Sequence, residues 1–212
     1  MDDLVASEAS FAGDKGGLLI IACGAVAREV LDVIRLNGFS HVSLECLPGK
    51  LHNTPQLIPD AVERKIVEAA DRYQRVLVAY GDCGTGGLLD KRLKELGVER
   101  VPGDHCYQFF AGGQRFLDWH EAEPATFYLT DFLCRHFERF VIEGLKLDRH
   151  PELLPQIFGN YRKLIYLQQV ESAMLEDKAR WAAAYLGLEF ELQPTGYGDL
   201  ATSIELAVRK AG

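Results

Sequence analysis

Basic residues are in the minority in this 212-residue chain: 23 Lys and Arg stand against 31 Asp and Glu, for a formal net charge of −8. They are also dispersed. A basic face of the kind that binds phosphate backbones is therefore not expected, and neither is a nucleic-acid partner. No apolar run reaches the ~18–20 residues that a membrane helix needs, so no membrane association is expected. The N-terminus, Met1-Asp-Asp-Leu-Val-Ala-Ser-Glu-Ala-Ser10, lacks the basic and apolar regions of a signal peptide. It reads as a polar lead-in over residues 1–16 of a cytoplasmic protein. Cysteine occurs five times, an odd number, and never as CxxC. In a reducing compartment such cysteines serve as thiols, metal ligands or nucleophiles rather than as staples.

Low-complexity tracts, fixed-period repeats and obvious linkers are missing too. What remains is 48% hydrophobic, enough for a substantial core. Residues 18–22 form a short continuous apolar run, as a strand buried on both faces does. Residues 25–36 follow with helical spacing, closed by Asn37-Gly38. Strand 42–47, helix 59–72, strand 76–80 and helix 88–96 continue the alternation. After a segment rich in aromatics, a helix from Thr130 to Gly144, strand 163–168, helix 170–186, strand 188–192 and a last helix from Asp199 complete the pattern. Alternation of this kind predicts an α/β fold: a single doubly wound, mainly parallel sheet with helices on both faces, in one domain over residues 17–212.

The sharpest chemical signal is where the cysteines fall. Cys23 ends the first strand. Cys83 sits in the glycine-rich turn Gly81-Asp-Cys-Gly-Thr-Gly-Gly87. Cys106 follows His105 just past the apolar residues 98–101. All three map to the carboxyl ends of candidate parallel strands, the edge where open α/β sheets place their sites. Three thiolates from separate strand ends would hold Zn²⁺ and leave its fourth position open, or hold an iron–sulfur cluster with one iron free. Buried packing is the alternative use of such cysteines. His105 is a candidate metal ligand or acid–base group, and Asp82 a candidate base or ligand-orienting group. Gly81, Gly84, Thr85, Gly86 and Gly87, with His52 and Tyr107, are candidates to contact a bound cofactor. The turn is not a Walker A loop, because the Lys and terminal Ser/Thr are missing. Cys46, inside a strand, and Cys134, inside an amphipathic helix, read as packing residues.

These residues also carry a family resemblance. Ala22-Cys-Gly24, Leu51-His-Asn53 with Pro55, Tyr80-Gly-Asp-Cys-Gly-Thr-Gly-Gly87 and Gly103-Asp-His-Cys-Tyr107 resemble a bacterial and archaeal family catalogued only as a domain of unknown function. Thr130-Asp-Phe132, Leu147-Asp-Arg-His-Pro151 and Phe158-Gly-Asn-Tyr161 extend the resemblance over nearly the whole chain from residue 17. Members of that family look like genomic neighbours of corrinoid-dependent methyl-transfer components. The resemblance thus implies a corrinoid methyl-transfer protein as a partner. A bound corrinoid is not expected here, because the signature Asp-x-His-x-x-Gly is absent: Asp118-Trp-His120 is followed by Glu121-Ala-Glu123.

Three functions follow as expectations. The first is a metalloenzyme acting on a small molecule, with zinc at Cys23, Cys83 and Cys106 and methyl or alkyl transfer to a thiol; an iron–sulfur enzyme of lyase or redox type is its variant. The second is a metal-free catalyst using Cys23 and Cys83 as an acid–base pair. The third is a non-catalytic accessory protein of a methyl-transfer system.

Overall fold

The computed structural model describes residues 9–12 and 17–211. The expected lead-in over 1–16 otherwise lies outside the described residues. The chain divides into two compact units, one taking in the chain up to Phe109 together with the segment from Tyr197, the other Phe110–Gly196. Each has its own sheet. The expected α/β class with mainly parallel strands is present, and the described strands lie in two sheets.

In the first unit the strands β1 (Ala9–Phe11), β2 (Leu18–Cys23), β3 (Val42–Leu47), β4 (Arg75–Ala79) and β5 (Glu99–Arg100) lie in the order β1-β3-β2-β4-β5. All pairings are parallel except that of β1 with β3, where Ser10 stands opposite Glu45. Residues 18–22 of the central strand are 0% exposed, which explains their unbroken apolar run. The chain leaves β2 through α1 (Ala27–Leu36) to β3, then crosses back through α2 (Ile58–Ala69) to β4 and on through α3 (Leu88–Leu96) to β5. Right-handed crossovers running in opposite directions put α1 and α2 on opposite faces. The crevice outside the carboxyl ends of β2 and β4 is therefore a topological switch point, where such sheets bind ligands.

The second unit follows α4 (Cys106–Ala111) and comprises α5 (Gly113–Ala122), β6 (Thr126–Thr130), α6 (Asp131–Arg135), a π-helical segment Glu138–Glu143, α7 (Leu154–Phe158), β7 (Lys163–Gln168), α8 (Ala173–Leu186) and β8 (Glu189–Pro194). Its three strands pair in parallel in the order β6-β7-β8. Leu129, Phe137, Leu164, Tyr166, Leu175 and Ala179 meet in its core. Thr130 caps α6, its Oγ1 accepting from Leu133 N at 3.3 Å. The helices α4 and α5 and strand β6 occupy the stretch rich in aromatics. The chain then returns to the first unit as α9 (Gly198–Ala211), which packs on α1. The Tyr197 hydroxyl donates to Asp32 Oδ2 at 2.9 Å, and Lys210 Nζ to Glu99 Oε1 at 3.0 Å. No helix among the described residues is long and apolar enough to cross a membrane.

Candidate functional site

Four segments of the first unit meet around the switch point. Cys23 closes β2 and caps a short 3₁₀ turn, Gly24–Val26, its Sγ accepting from Ala25 N at 3.3 Å. His52 comes from a second 3₁₀ segment, Gly49–Asn53, that follows β3. Cys83 lies in the turn after β4. His105 and Cys106 follow β5.

Backbone hydrogen bonds tie the last two segments together. Asp82 N donates to Gly103 O at 3.3 Å and Cys83 N to Asp104 O at 2.9 Å. This continues the β4–β5 pairing past the ends of the strands. Gly81 is required for that approach, because a Cβ there would lie 3.0 Å from His105 Cα and N. Cys83 itself has φ +49°, in the left-handed region. Outside glycine, that conformation costs about 1–2 kcal/mol.

Asp82 builds the turn. Its carboxylate accepts from the Thr85 hydroxyl (2.6 Å), Gly87 N (2.8 Å) and Gly86 N (3.0 Å). Thr85 is buried, and Gly86 and Gly87 give their N–H groups to Asp82, so these donors are already engaged within the protein. Burial acts to raise the Asp82 carboxyl, but the Thr85, Gly87 and Gly86 donors and the Arg100 guanidinium outweigh it and hold it below the ordinary carboxylate range. Its contribution is therefore full above the unfolded pKa of about 3.9 and is lost as pH falls through the lowered folded value. Asp82→Ala should cost about 1 kcal/mol, the net worth of a typical hydrogen bond at a half-exposed site. Denaturant titrations of variant and parent should show this gap at pH 7, and show it closing in strong acid.

The imidazoles lie beside the thiols. His52 Nδ1 is 3.0 Å from Gly49 O, so that nitrogen carries the proton, and 3.7 Å from Cys23 Sγ. Burial presses His52 down, but its contact with Cys83 and the Gly49 carbonyl leaves it raised overall. His105 Nδ1 accepts from Tyr107 N at 3.4 Å and is 3.6 Å from Cys106 Sγ, with the Tyr107 ring tilted over it at 4.0 Å. Burial and the neighbouring His52 push His105 down to about 4, so it is uncharged at neutral pH.

The thiols move the other way. Burial pushes Cys23 up to about 11. Burial, then the proximity of Cys83 and Cys23, pushes Cys106 well above its ordinary value. The three predicted cysteines therefore share one electrostatic environment. Cys46 is closer to it than the sequence suggested, because its buried thiol, at about 12, also responds to Cys23. Cys134 belongs to the other unit, where its thiol donates to Leu175 O at 3.1 Å. Among the described residues, no three His, Cys, Asp or Glu side chains converge closely enough to hold a metal ion as they stand.

Tyr80 was not singled out from the sequence. It is 1% exposed and stacks on His52 with ring centroids 6.3 Å apart, and burial, then the Cys23 thiol and after it Cys83 and Cys46, push its hydroxyl well above the ordinary value. Its hydroxyl makes no hydrogen bond of good geometry among the described residues. A tyrosine at the end of an apolar strand gives no sequence signal for this, since it reads as core.

A family model described as "Protein of unknown function (DUF1638)" matches residues 46–204. No curated protein matches. Among solved structures, the ornithine carbamoyltransferase from Pyrococcus furiosus is similar at 12% identity over 84% of this chain, with a TM-score of 0.22. The match takes in 54% of that enzyme's chain, and a similarity this low bears on neither fold nor function.

Proposed function

The chain belongs to the DUF1638 family of proteins of unknown function, and from its own residues we propose a metalloenzyme whose metal is held by Cys23, Cys83 and Cys106. The observation that carries this is Cys83. It is a strained, non-glycine residue at the switch point, and together with the buried Cys23 it acts electrostatically on the half-buried Cys106. Burial, then the proximity of Cys83 and Cys23, raises Cys106, and a bound cation would reverse that balance. Thiolate donors fit a soft or borderline metal, with zinc first and an iron–sulfur cluster as the variant. Ligation of one ion would require the three side chains to draw closer than they stand.

Zinc bound there would supply an open position at which a substrate thiol loses its proton yet stays nucleophilic, as methyl or alkyl transfer to sulfur requires. The chain's own groups prepare that position. Gly49 O fixes the proton of His52 on Nδ1 and orients the ring beside Cys23 and Cys83. His105 stays neutral and offers Nε2–H as a donor. Asp82 acts as a positioning residue that holds the turn carrying Cys83.

Elemental analysis and a visible spectrum of protein purified without oxygen test the proposal. One zinc per chain in a colourless sample supports it. A brown sample containing iron and sulfide moves the reaction toward lyase or redox chemistry. No stoichiometric metal in either preparation overturns both.

One observation favours a metal-free reading: the pairing of Cys83 with a raised His52 resembles a thiol–imidazole couple. Rapid alkylation of Cys83 in chelator-treated protein that is still active would select it.

Tyr80→Phe gives an independent check of the site's polarity. The variant removes a buried hydroxyl that lacks a good partner, so the metal-free protein should be as stable as the parent or up to about 1 kcal/mol more stable by urea titration. A loss above about 1 kcal/mol would mean that the hydroxyl is bonded in the folded protein.

A further inference from the structure

The second unit has its own cavity, of about 430 Å³, at the carboxyl end of its sheet, bounded by Gln168, Glu171, Ser172, Glu176, Leu192 and Pro194 among others. None of these belongs to the cysteine cluster. Helix α8, 14 residues long, begins at this cavity with Ser172 as its cap. Its first N–H groups and the positive end of its dipole are directed there.

Gln168 is the second, independent feature. It is 8% exposed. Its backbone carbonyl accepts from Thr195 N at 2.9 Å and Gly196 N at 3.2 Å. Its side-chain amide has no partner among the described residues. Gln168 pairs with Pro194, and Tyr166 with Leu192, so alternation puts these four on one face of the sheet, that of Tyr166 in the core under α8. An unpaired amide on a residue only 8% exposed leaves a donor and an acceptor for a partner in the cavity it borders.

The rim supplies opposite charge. Glu171 is exposed there, and Glu176 is held by Arg180 at 2.7 Å. A simple anion at the start of α8 would face these carboxylates, and a simple cation would face the positive helix end. A zwitterion satisfies both. We propose that this cavity binds a free α-amino acid. Its carboxylate meets the α8 N-terminus and the Gln168 amide, its ammonium meets Glu171, and its side chain lies along Leu192 and Pro194.

The test is calorimetry and thermal shift on the full chain with the common L-amino acids one at a time, and with inorganic phosphate and putrescine as anion-only and cation-only probes. At least one amino acid should bind and raise Tm, while neither control does. Gln168→Leu should weaken that binding by at least about tenfold, the usual consequence of losing a hydrogen bond to a charged group. The Tm of the ligand-free variant should hold, because the amide it loses was unpaired. Gln168→Glu, which keeps the size and polarity but sets a carboxylate against the ligand's own, should abolish binding even if the leucine variant folds poorly. Glu171→Gln should weaken binding several-fold. The proposal is overturned if no amino acid binds, if phosphate or putrescine binds as tightly, or if affinity survives both changes at Gln168.

Discussion

Cys83→Gly should yield a protein that is more stable without metal and nearly unable to bind it. The left-handed backbone at Cys83 (φ +49°) is free for glycine, so relief of strain should add about 1 kcal/mol. The thiol, however, is gone. Zinc affinity should fall by more than the ~10–100-fold that follows loss of an outer-shell partner. Cys23→Ser, Cys83→Ser and Cys106→Ser should lose metal to the same degree, and pairs of these changes should cost little more than one, because one defective site is already defective. Each should also lose the share of thermal stability that metal confers. Packing alone predicts a different ranking. Cys46 and Cys134 are 1% and 2% exposed, and Cys134 donates to Leu175 O, so their serine variants would then be the most damaging. Metal content and Tm of all the variants separate the two accounts. Zinc retained by Cys83→Ser but stripped by Cys46→Ser would refute the site.

The largest stability loss should come from the other unit. Asp131 is 1% exposed at the end of β6, and its carboxylate accepts from the Tyr166 hydroxyl (2.7 Å), Gln169 N (3.1 Å) and Val170 N (3.2 Å). Arg135 stands 3.7 Å away. These bonds join β6 to the segment that follows β7. Asp131→Ala leaves three donors facing an apolar hole, a change that costs about 3–5 kcal/mol. Asp131→Asn keeps one acceptor oxygen and should cost less. Adding Tyr166→Phe to Asp131→Ala removes one stranded donor, so the double variant should lose less than the sum of its parts. Urea titrations of the parent, Asp131→Ala, Asp131→Asn, Tyr166→Phe and the double variant check this. A loss below about 1 kcal/mol for Asp131→Ala would show that water replaces the carboxylate.

Much of the architecture was legible in local pattern. Continuous apolar runs announced β2, β4 and β7, helical spacing announced α1, α2 and α8, and glycines followed strands where turns were needed. The cysteines at strand ends were visible because a parallel strand's carboxyl end can be read directly from its boundary. Which strands pair was not visible. Hydrophobic periodicity reports the burial of a strand but says nothing about its neighbour, so two sheets read as one. Strand β6 carried a β-branched and aromatic signal, Thr-Phe-Tyr-Leu-Thr, that the helix after it obscured. Ala9–Phe11 became an edge strand only because β3 offered it an unpaired edge. The sequence offers Asp82 as a base, a ligand-orienting group or a turn cap, and the backbone path of its turn brings Thr85, Gly86 and Gly87 onto its carboxylate. His52 and Tyr80, 28 residues apart by number, became neighbours of Cys23 because the β3 and β4 ends flank the end of β2. By itself the sequence determined the long apolar runs that are buried, the strongly periodic helices and strands, and which of their ends carry thiols, since these depend on near neighbours along the chain. The tertiary structure alone decided strand partners, side-chain hydrogen bonds and the pairing of thiols with imidazoles, because each depends on contacts between residues far apart in sequence.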